Sequence, residues 1–208
     1  LASLSRGECD LAGFHVPEGR LGAQALSQYT RWLQPTRQRL IHLVTRTQGL
    51  FVARGNPKNI QSLQDLSRPD IMFVNRQKGA GTRLLFDQLI DDARVDRARI
   101  RGYQTEEFTH AAVAAFVASG MADVAFGVEP PARQFRLDFV PIAKERYLLL
   151  ADLHTLERPE VIELLELLRG DVFAAMVADL PGYAAPLAGT VATLAEVFPE
   201  IDSTALVD

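Results

Sequence analysis

Asn75-Arg-Gln-Lys-Gly-Ala-Gly-Thr-Arg83 lies between an apolar run, Ile71-Met-Phe-Val74, and a helical pattern, Leu84-Leu-Phe-Asp-Gln-Leu-Ile90. A strand, a glycine-rich turn and a helix start therefore follow one another directly. Such a turn aims free backbone N–H groups and the positive end of the helix dipole at one point in space. Thr82 adds a hydroxyl there and Arg83 a permanent cation, so a small anion is the ligand this chemistry suits. A plain turn is the alternative: Gly79 and Gly81 shape the backbone, Thr82 caps the helix, and Arg83 lies in solvent or pairs with Asp87 one helical turn on. The Lys-[Ser/Thr] pair that closes a P-loop is missing, and the dinucleotide fingerprint is not matched, which speaks against nucleoside triphosphate chemistry.

Alternation extends outward from this stretch. Upstream, Leu1 to Gly7 reads as the last turns of a helix with Gly7 as its C-cap, followed by a strand over 9–14. Leu21 to Leu33 has helical spacing and ends at Pro35. Two strand segments are expected at 40–45 and 48–53, then a short helix at 62–66. Downstream, the helix from Thr82 to about Ala93 is followed by an expected strand at 99–103 and a helix over 109–119. Strands follow at 123–126, 137–142 and 146–151, then helices over 159–169 and from a cap at Asp171 to Leu180. Strands alternating with helices predict an α/β fold with parallel sheets covered on both faces. Two βα blocks separated by the long strands suggest two lobes joined by two crossings. Lobe one is expected from residues 1–53 and 146–208, and lobe two, carrying the glycine-rich turn, from 54–145. Open sheets of this kind take ligands at the carboxyl ends of strands, where Gly79 to Arg83 would lie.

Composition narrows the function. The chain has 208 residues, 48% of them hydrophobic and 23% charged, with a net charge of −4. No Lys/Arg block offers a local field to nucleic acid. A single cysteine, Cys9, excludes an intrachain disulfide and a cysteine metal cluster. No apolar run reaches the ~18 residues of a membrane span. The four histidines lack metal-ligand spacing. Ser3, Ser5, Ser27 and Ser62 occupy no nucleophile elbow, and pairs such as Asp91-Asp92 and Glu106-Glu107 read as solvated helix ends. A non-enzymatic chain without cofactor or metal is expected. The lone cysteine and the lack of a charged-then-apolar leader lean toward the cytoplasm over the periplasm. A start inside a helix reads as an N-terminal truncation.

Several stretches together resemble one family. They are Leu4-Ser-Arg-Gly-Glu-Cys-Asp-Leu-Ala-Gly-Phe-His15, Gly49-Leu-Phe-Val-Ala-Arg-Gly-Asn-Pro57 and Phe73-Val-Asn-Arg-Gln-Lys-Gly-Ala-Gly-Thr-Arg83. Glu106 to Val113, Ala118 to Gly127 and Leu180-Pro-Gly-Tyr183 extend the match. The chain resembles a type II periplasmic-binding-protein-like domain of the molybdate/tungstate-binding kind. Such domains occur in transport and fused to helix-turn-helix regulators. Two departures stand out: Ala80 replaces a hydroxyl residue, and the family's first strand and helix are missing, which would leave a sheet edge for a partner chain or for the tail after Tyr183 to cover. That tail carries a weak amphipathic pattern in Leu194, Val197 and Phe198.

The resemblance implies a small oxyanion held between two lobes, with closure as the signal. Candidate contacts are Gln77, Gly79, Ala80, Gly81, Thr82 and Arg83 in the turn, Thr109 and His110 at the next helix start, and His15 at the end of the first strand. For each the bland role stays open: a brace, a cap, or a satisfied histidine. Four or five charge-assisted hydrogen bonds there would contribute roughly 6–12 kcal/mol before ordering costs, enough for about micromolar binding. Implied partners are a DNA-binding module or an ABC permease, with a homodimer as a further option. Two other functions fit the same sequence: a LysR-type effector domain sensing a small organic acid, and an assembly module without ligand.

Overall fold

The computed structural model describes residues 1–199. In chain order its elements are α1 (Ala2–Ser5), β1 (Leu11–Pro17), α2 (Arg20–Ser27), β2 (Gln38–Val52), β3 (Phe73–Arg76), α3 (Gly81–Asp92), β4 (Glu106–Glu107) and α4 (His110–Ala118). They continue with β5 (Val124–Val128), α5 (Glu129–Gln134), β6 (Asp138–Asp152), α6 (Pro159–Arg169), α7 (Asp171–Ala178), β7 (Tyr183–Ala184), β8 (Val191–Ala192) and α8 (Leu194–Val197). The chain divides into two compact units: Leu1–Arg46 with the chain from Glu145 onward, and Thr47–Lys144. The α/β class and the two-unit, type II architecture are those expected.

Thr47–Lys144 carries the parallel sheet. Its strand order is β2-β5-β3-β4, with β3 parallel to both β4 and β5 and the end of β2 antiparallel to β5. Helices cover both faces because neighbouring strand residues point opposite ways. Phe73 stacks on Phe86 of α3 at 4.7 Å between ring centroids, and Phe126 lies 5.3 Å from the same ring. On the other face Val74 and Ala125 pack with Val113, Ala114 and Val117 of α4.

The other unit differs from the parallel expectation, since its observed pairings are antiparallel. Strand β1 pairs with β6 from Leu11↔Ala151 to Pro17↔Glu145. The first part of β2 pairs with β7 at Thr45↔Ala184 and with β8 at Leu40↔Ala192. The tail after Tyr183 thus supplies two short strands to the β2 edge, satisfying ladder groups that an open edge would expose. Its Leu194 and Phe198 are 1% and 0% exposed, in one core with Phe14, Leu26 and Leu148.

Four local expectations give way. The helix expected from Leu21 to Leu33 ends at Ser27, and Thr30–Trp32 is a separate 3₁₀ turn. The pairs of strands expected on either side of Thr47 and of Lys144 are single fifteen-residue strands, β2 and β6, because no turn residue interrupts the polar stretches between them. The strand expected at 99–103 is a 3₁₀ turn at Arg97–Arg99 followed by Gly102 at φ +82°. That segment still runs beside β3, with Phe73 N–H donating to Arg101 O at 2.9 Å and Asn75 N–H to Thr105 O at 2.8 Å, but Gly102 breaks the regular ladder. Finally, Gly170 rather than Asp171 is the N-cap of α7.

Candidate functional site

Because β3, β4 and β5 are parallel, their carboxyl ends lie at one end of the sheet, and each feeds a helix there: α3, α4 and α5. The turn after β3 is closed by Ala80 N–H donating to Gln77 O at 3.2 Å, with exposed Gly79 at φ +87°. A side chain at Gly79 would have space but an unfavourable backbone. Gln77 N–H donates to Glu107 O at 3.0 Å, tying the turn to β4. Intrahelical bonding in α3 begins with Leu84 N–H to Ala80 O, 3.0 Å. Ala80 is the N-cap and has no side-chain acceptor, so the N–H groups of Gly81 and Thr82 receive no cap from it. Helix α4 is different: Thr109 Oγ1 accepts from Ala112 N–H at 3.0 Å.

The two helix starts meet. Thr82 is 4% exposed, and its Oγ1 is 3.5 Å from His110 Nε2. Gly127 on β5 makes room for this, since a Cβ there would fall 2.9 Å from His110 Nδ1 and 2.7 Å from Phe51 Cζ. One residue from each of three strand-to-helix passages therefore converges: Thr82, His110 and Gly127.

Arg83 is turned away into a charged cluster of its own. It is 4% exposed; Nε donates to both Asp87 oxygens at 3.0 and 3.1 Å, and Nη1 to Glu106 Oε1 at 2.9 Å and Arg76 O at 3.2 Å. Its guanidinium lies 4.5 Å over the Tyr103 ring, while Tyr103 O–H donates to Asp87 at 2.7 Å. Burial opposes the charge, yet Tyr103, Asp87 and Glu106 outweigh it and raise the Arg83 pKa above its ordinary value. Burial likewise pushes Glu106 up, but the Lys78 N–H and Arg83 hold it below the ordinary carboxylate value. The i+4 pair with Asp87 is thus formed, and Arg83 does not lie in solvent as the plain-turn reading allowed.

The sequence reading passed over Arg76. It alternates with Val74 and so projects on the α4 face of the sheet. Nη2 donates to Phe108 O at 3.0 Å, just before α4, and the buried Nε has no hydrogen-bond partner among the described residues. No carboxylate among the described residues pairs with it, and burial lowers its pKa. Its place two residues after a core valine, at a strand exit, was the signal available in the sequence.

His15 belongs to the other unit. It faces Tyr147 across β1 and β6, with ring centroids 4.2 Å apart. Its Nε2 is 3.4 Å from Arg46 Nη2 and its Nδ1 3.9 Å from Glu145 Oε1. Arg46 and Glu145 form a close ion pair with side chains 13% and 2% exposed. Burial works against the Arg46 charge, but Glu145 and Tyr183 raise its pKa. Among the described residues no group of three or more His, Cys, Asp or Glu is arranged to hold a metal ion. No helix among them is long and apolar enough to cross a membrane.

Comparison with known proteins sets this geometry in a family. The family described as PBP superfamily domain matches residues 1–169. The uncharacterized protein YvgK of Bacillus subtilis is 34% identical over 193 residues, which is 92% of this chain but 61% of YvgK. A protein of Clostridium pasteurianum described only as lying in the ferredoxin 2Fe-2S gene 5' region is 34% identical over 111 residues, 53% of this chain and 98% of that one. In fold the chain is similar to an ABC-type phosphate transport receptor from Vibrio cholerae (TM-score 0.58, 14% identity, 89% of this chain and 83% of that). It is also similar to the regulatory domain of MetR, a LysR family regulator from N. meningitidis (TM-score 0.58, 14% identity, 88% and 78%). A third similar fold is the Synechocystis CcmR regulatory domain in complex with 2-PG (TM-score 0.55, 18% identity, 80% and 74%). The extent of the family match, over most of the chain and through both helix starts, decides the matter: this chain belongs to the PBP superfamily domain family.

Proposed function

We propose that this chain is a non-catalytic small-ligand-binding domain that holds a tetrahedral oxyanion, molybdate or tungstate, at the adjoining starts of α3 and α4. The observation that carries the reading is the first turn of α3, which has no side-chain cap beside the buried Thr82 hydroxyl and His110. An anion there would take the place of a cap, accepting from the Gly81 and Thr82 N–H groups and from Thr82 Oγ1. Arg83 braces the turn from behind, and Arg76, without a carboxylate partner, supplies the countercharge. Ala80, where the resembling family has a hydroxyl, leaves the backbone donor to act alone. Among ions of equal charge, selection would come from pocket size and donor number.

Donors at a helix start hold an anion without a reacting group, which supports binding over catalysis. The similarity to a phosphate transport receptor supports the capacity of this fold for such anions. Regulation through a DNA-binding module, or transport with a permease, would be the use made of binding; the chain spans 61% of YvgK. Titration calorimetry with molybdate, tungstate, sulfate and phosphate tests the proposal. Molybdate or tungstate should bind at about micromolar Kd, with Thr82→Val and Arg76→Met each weakening binding roughly tenfold or more. Absence of heat with all four ions, or titrations unchanged in both variants, would overturn it.

A second reading, the sensing of a small organic acid, gains from the engagement of Arg83 by two carboxylates, which leaves less charge for a compact dianion. The similar CcmR regulatory domain was solved with 2-PG. Small carboxylates in the same titrations separate the two readings.

A further inference from the structure

The unit built around β1 and β6 contains a cavity remote in sequence from the α3 turn. Strands β7 and β8 both pair with β2, at Thr45–Arg46 and at Leu40–Ile41. The chain between them, residues 185–190, runs beside residues 42–44 of β2 with more residues than the ladder needs, and so arches out of it. Two bonds pin that arch: His42 N–H donates to Thr190 O at 3.0 Å and Gly189 N–H to His42 O at 2.9 Å. Arg169 Nε to Gly189 O (2.9 Å) holds it from α6, and Thr190 O–H to Leu187 O (2.7 Å) closes it internally. Against it lies a cavity of about 230 Å³, lined by His42, Thr45, Arg146, Pro186, Leu187 and the exposed Glu18 among others.

Arg146 is the unusual member. Its guanidinium is positioned by Val197 O, which accepts from Nη1 at 3.2 Å, and by the Phe198 ring at 4.9 Å. No carboxylate among the described residues pairs with it, and its buried Nε has no hydrogen-bond partner. Of the five N–H groups of a guanidinium, one has an acceptor among the described residues. Its neighbour Arg46, by contrast, is paired with buried Glu145. Burial and the Arg146 charge both push the His42 pKa down, so the imidazole is a neutral hydrogen-bonding group at pH 7. The cavity thus offers a cation without a carboxylate partner among the described residues, small polar groups and apolar walls, the composition of a small-molecule site.

We propose that this cavity binds a short aliphatic carboxylic acid, with Arg146 holding the carboxylate and the Pro186–Leu187 arch covering the hydrocarbon. An apolar cavity of roughly 150 Å³ accommodates benzene, so this one suits about nine heavy atoms. Glu18, an exposed residue of the lining, would receive an ammonium group, so an α-amino acid and a plain fatty acid share the required chemistry.

Calorimetry with isovalerate and L-valine tests the site. At least one should bind, with Kd on the order of 0.1–1 mM for ligands of this size. Arg146→Met should abolish binding, and Leu187→Glu should weaken it at least tenfold by placing a like charge at the rim. Because Leu187 is 52% exposed, the second variant decides the outcome if the first fails to fold. Glu18→Gln should weaken valine alone if the amino acid is the ligand. No heat from either acid at about 10 mM, or a titration unchanged by Leu187→Glu, would sink the proposal. Molybdate titrations should be the same in wild type and Leu187→Glu, so this site and the α3 site succeed or fail separately.

Discussion

Each of the two units keeps a buried arginine in a carboxylate cage and has another arginine without one among the described residues. In Thr47–Lys144, Arg83 is bound by Asp87 and Glu106 while Arg76, among the described residues, has a carbonyl oxygen as its side-chain partner. In the other unit, Arg46 is bound by Glu145 while Arg146, among the described residues, has the Val197 carbonyl and an aromatic face. The caged member fixes backbone elements to one another; the uncaged member has charge and donors left for a ligand. The cages are not equal. Glu145 is 2% exposed, whereas Asp87 and Glu106 have side chains 24% and 27% exposed. A buried partner cannot be replaced by water when it is lost, and a half-buried one can.

The largest effect should therefore come from Glu145→Gln, which leaves Arg46 buried beside a neutral amide. Breaking a buried pair from one side costs about 3–5 kcal/mol, read as a lower urea midpoint with unchanged m-value. The double change Arg46→Met with Glu145→Leu should recover most of that loss, since the desolvation penalty disappears with both charges. Arg83→Met removes a cation whose partners turn to solvent, and should cost less, about 1–3 kcal/mol. Equal losses for Glu145→Gln and Arg83→Met would break the distinction between the two cages.

Smaller effects sharpen the contrast between the two helix starts. Thr109→Ala deletes the α4 cap and should cost about 1 kcal/mol. Ala80→Ser adds an acceptor to the uncapped α3 and should stabilise by a similar amount, about 0.5–1 kcal/mol. Opposite signs are the expected result in thermal melts without added anion. A neutral Ala80→Ser would mean that the first-turn N–H groups of α3 already have partners, and the oxyanion proposal would lose its main support.

How far the sequence carried the fold is clearest at particular residues. The βα passage at 71–90 was legible because an apolar run, two glycines and an amphipathic stripe point to the same structure. Helix α6 was legible from Pro159 at its first position and Gly170 after its last. Helix α5 was missed, although Pro130 and Pro131 after Glu129 are a helix-start signal. The antiparallel pairing of the other unit was not legible, since alternation of element types says nothing of the direction in which a distant segment such as 183–192 returns. At the candidate site, residue types were readable but their partners were not. Arg83 and Arg76 are both arginines near one turn; only the placement of Asp87, Glu106 and Tyr103 decides which one is caged. The convergence of Thr82 and His110 depends on Gly127, whose role appears only when β5 is placed next to β3.

The pH dependence of stability offers the mildest test of the same comparison. His42, beside Arg146, is pushed below its ordinary value by burial first and by the cation second. In Thr47–Lys144, Glu106 and Asp65 are likewise lowered: burial opposes the shift, and backbone N–H groups with Arg83, and with Ser62 and Arg68, overcome it. All three groups bind protons more readily when unfolded, so each contributes stability at high pH that is lost on acidification. The windows differ. For His42 the loss starts as pH falls through the ordinary histidine value of about 6.5, whereas for Glu106 and Asp65 it waits for the ordinary carboxylate range near 4. Urea midpoints measured from pH 8 to pH 3 should fall in two stages, and His42→Gln should remove the first while leaving the second. If an acid occupies the cavity against the arch, its carboxylate would offset the Arg146 charge and shrink the first stage in wild type. A first stage that persists in His42→Gln would assign it elsewhere and remove His42 from the electrostatics of Arg146.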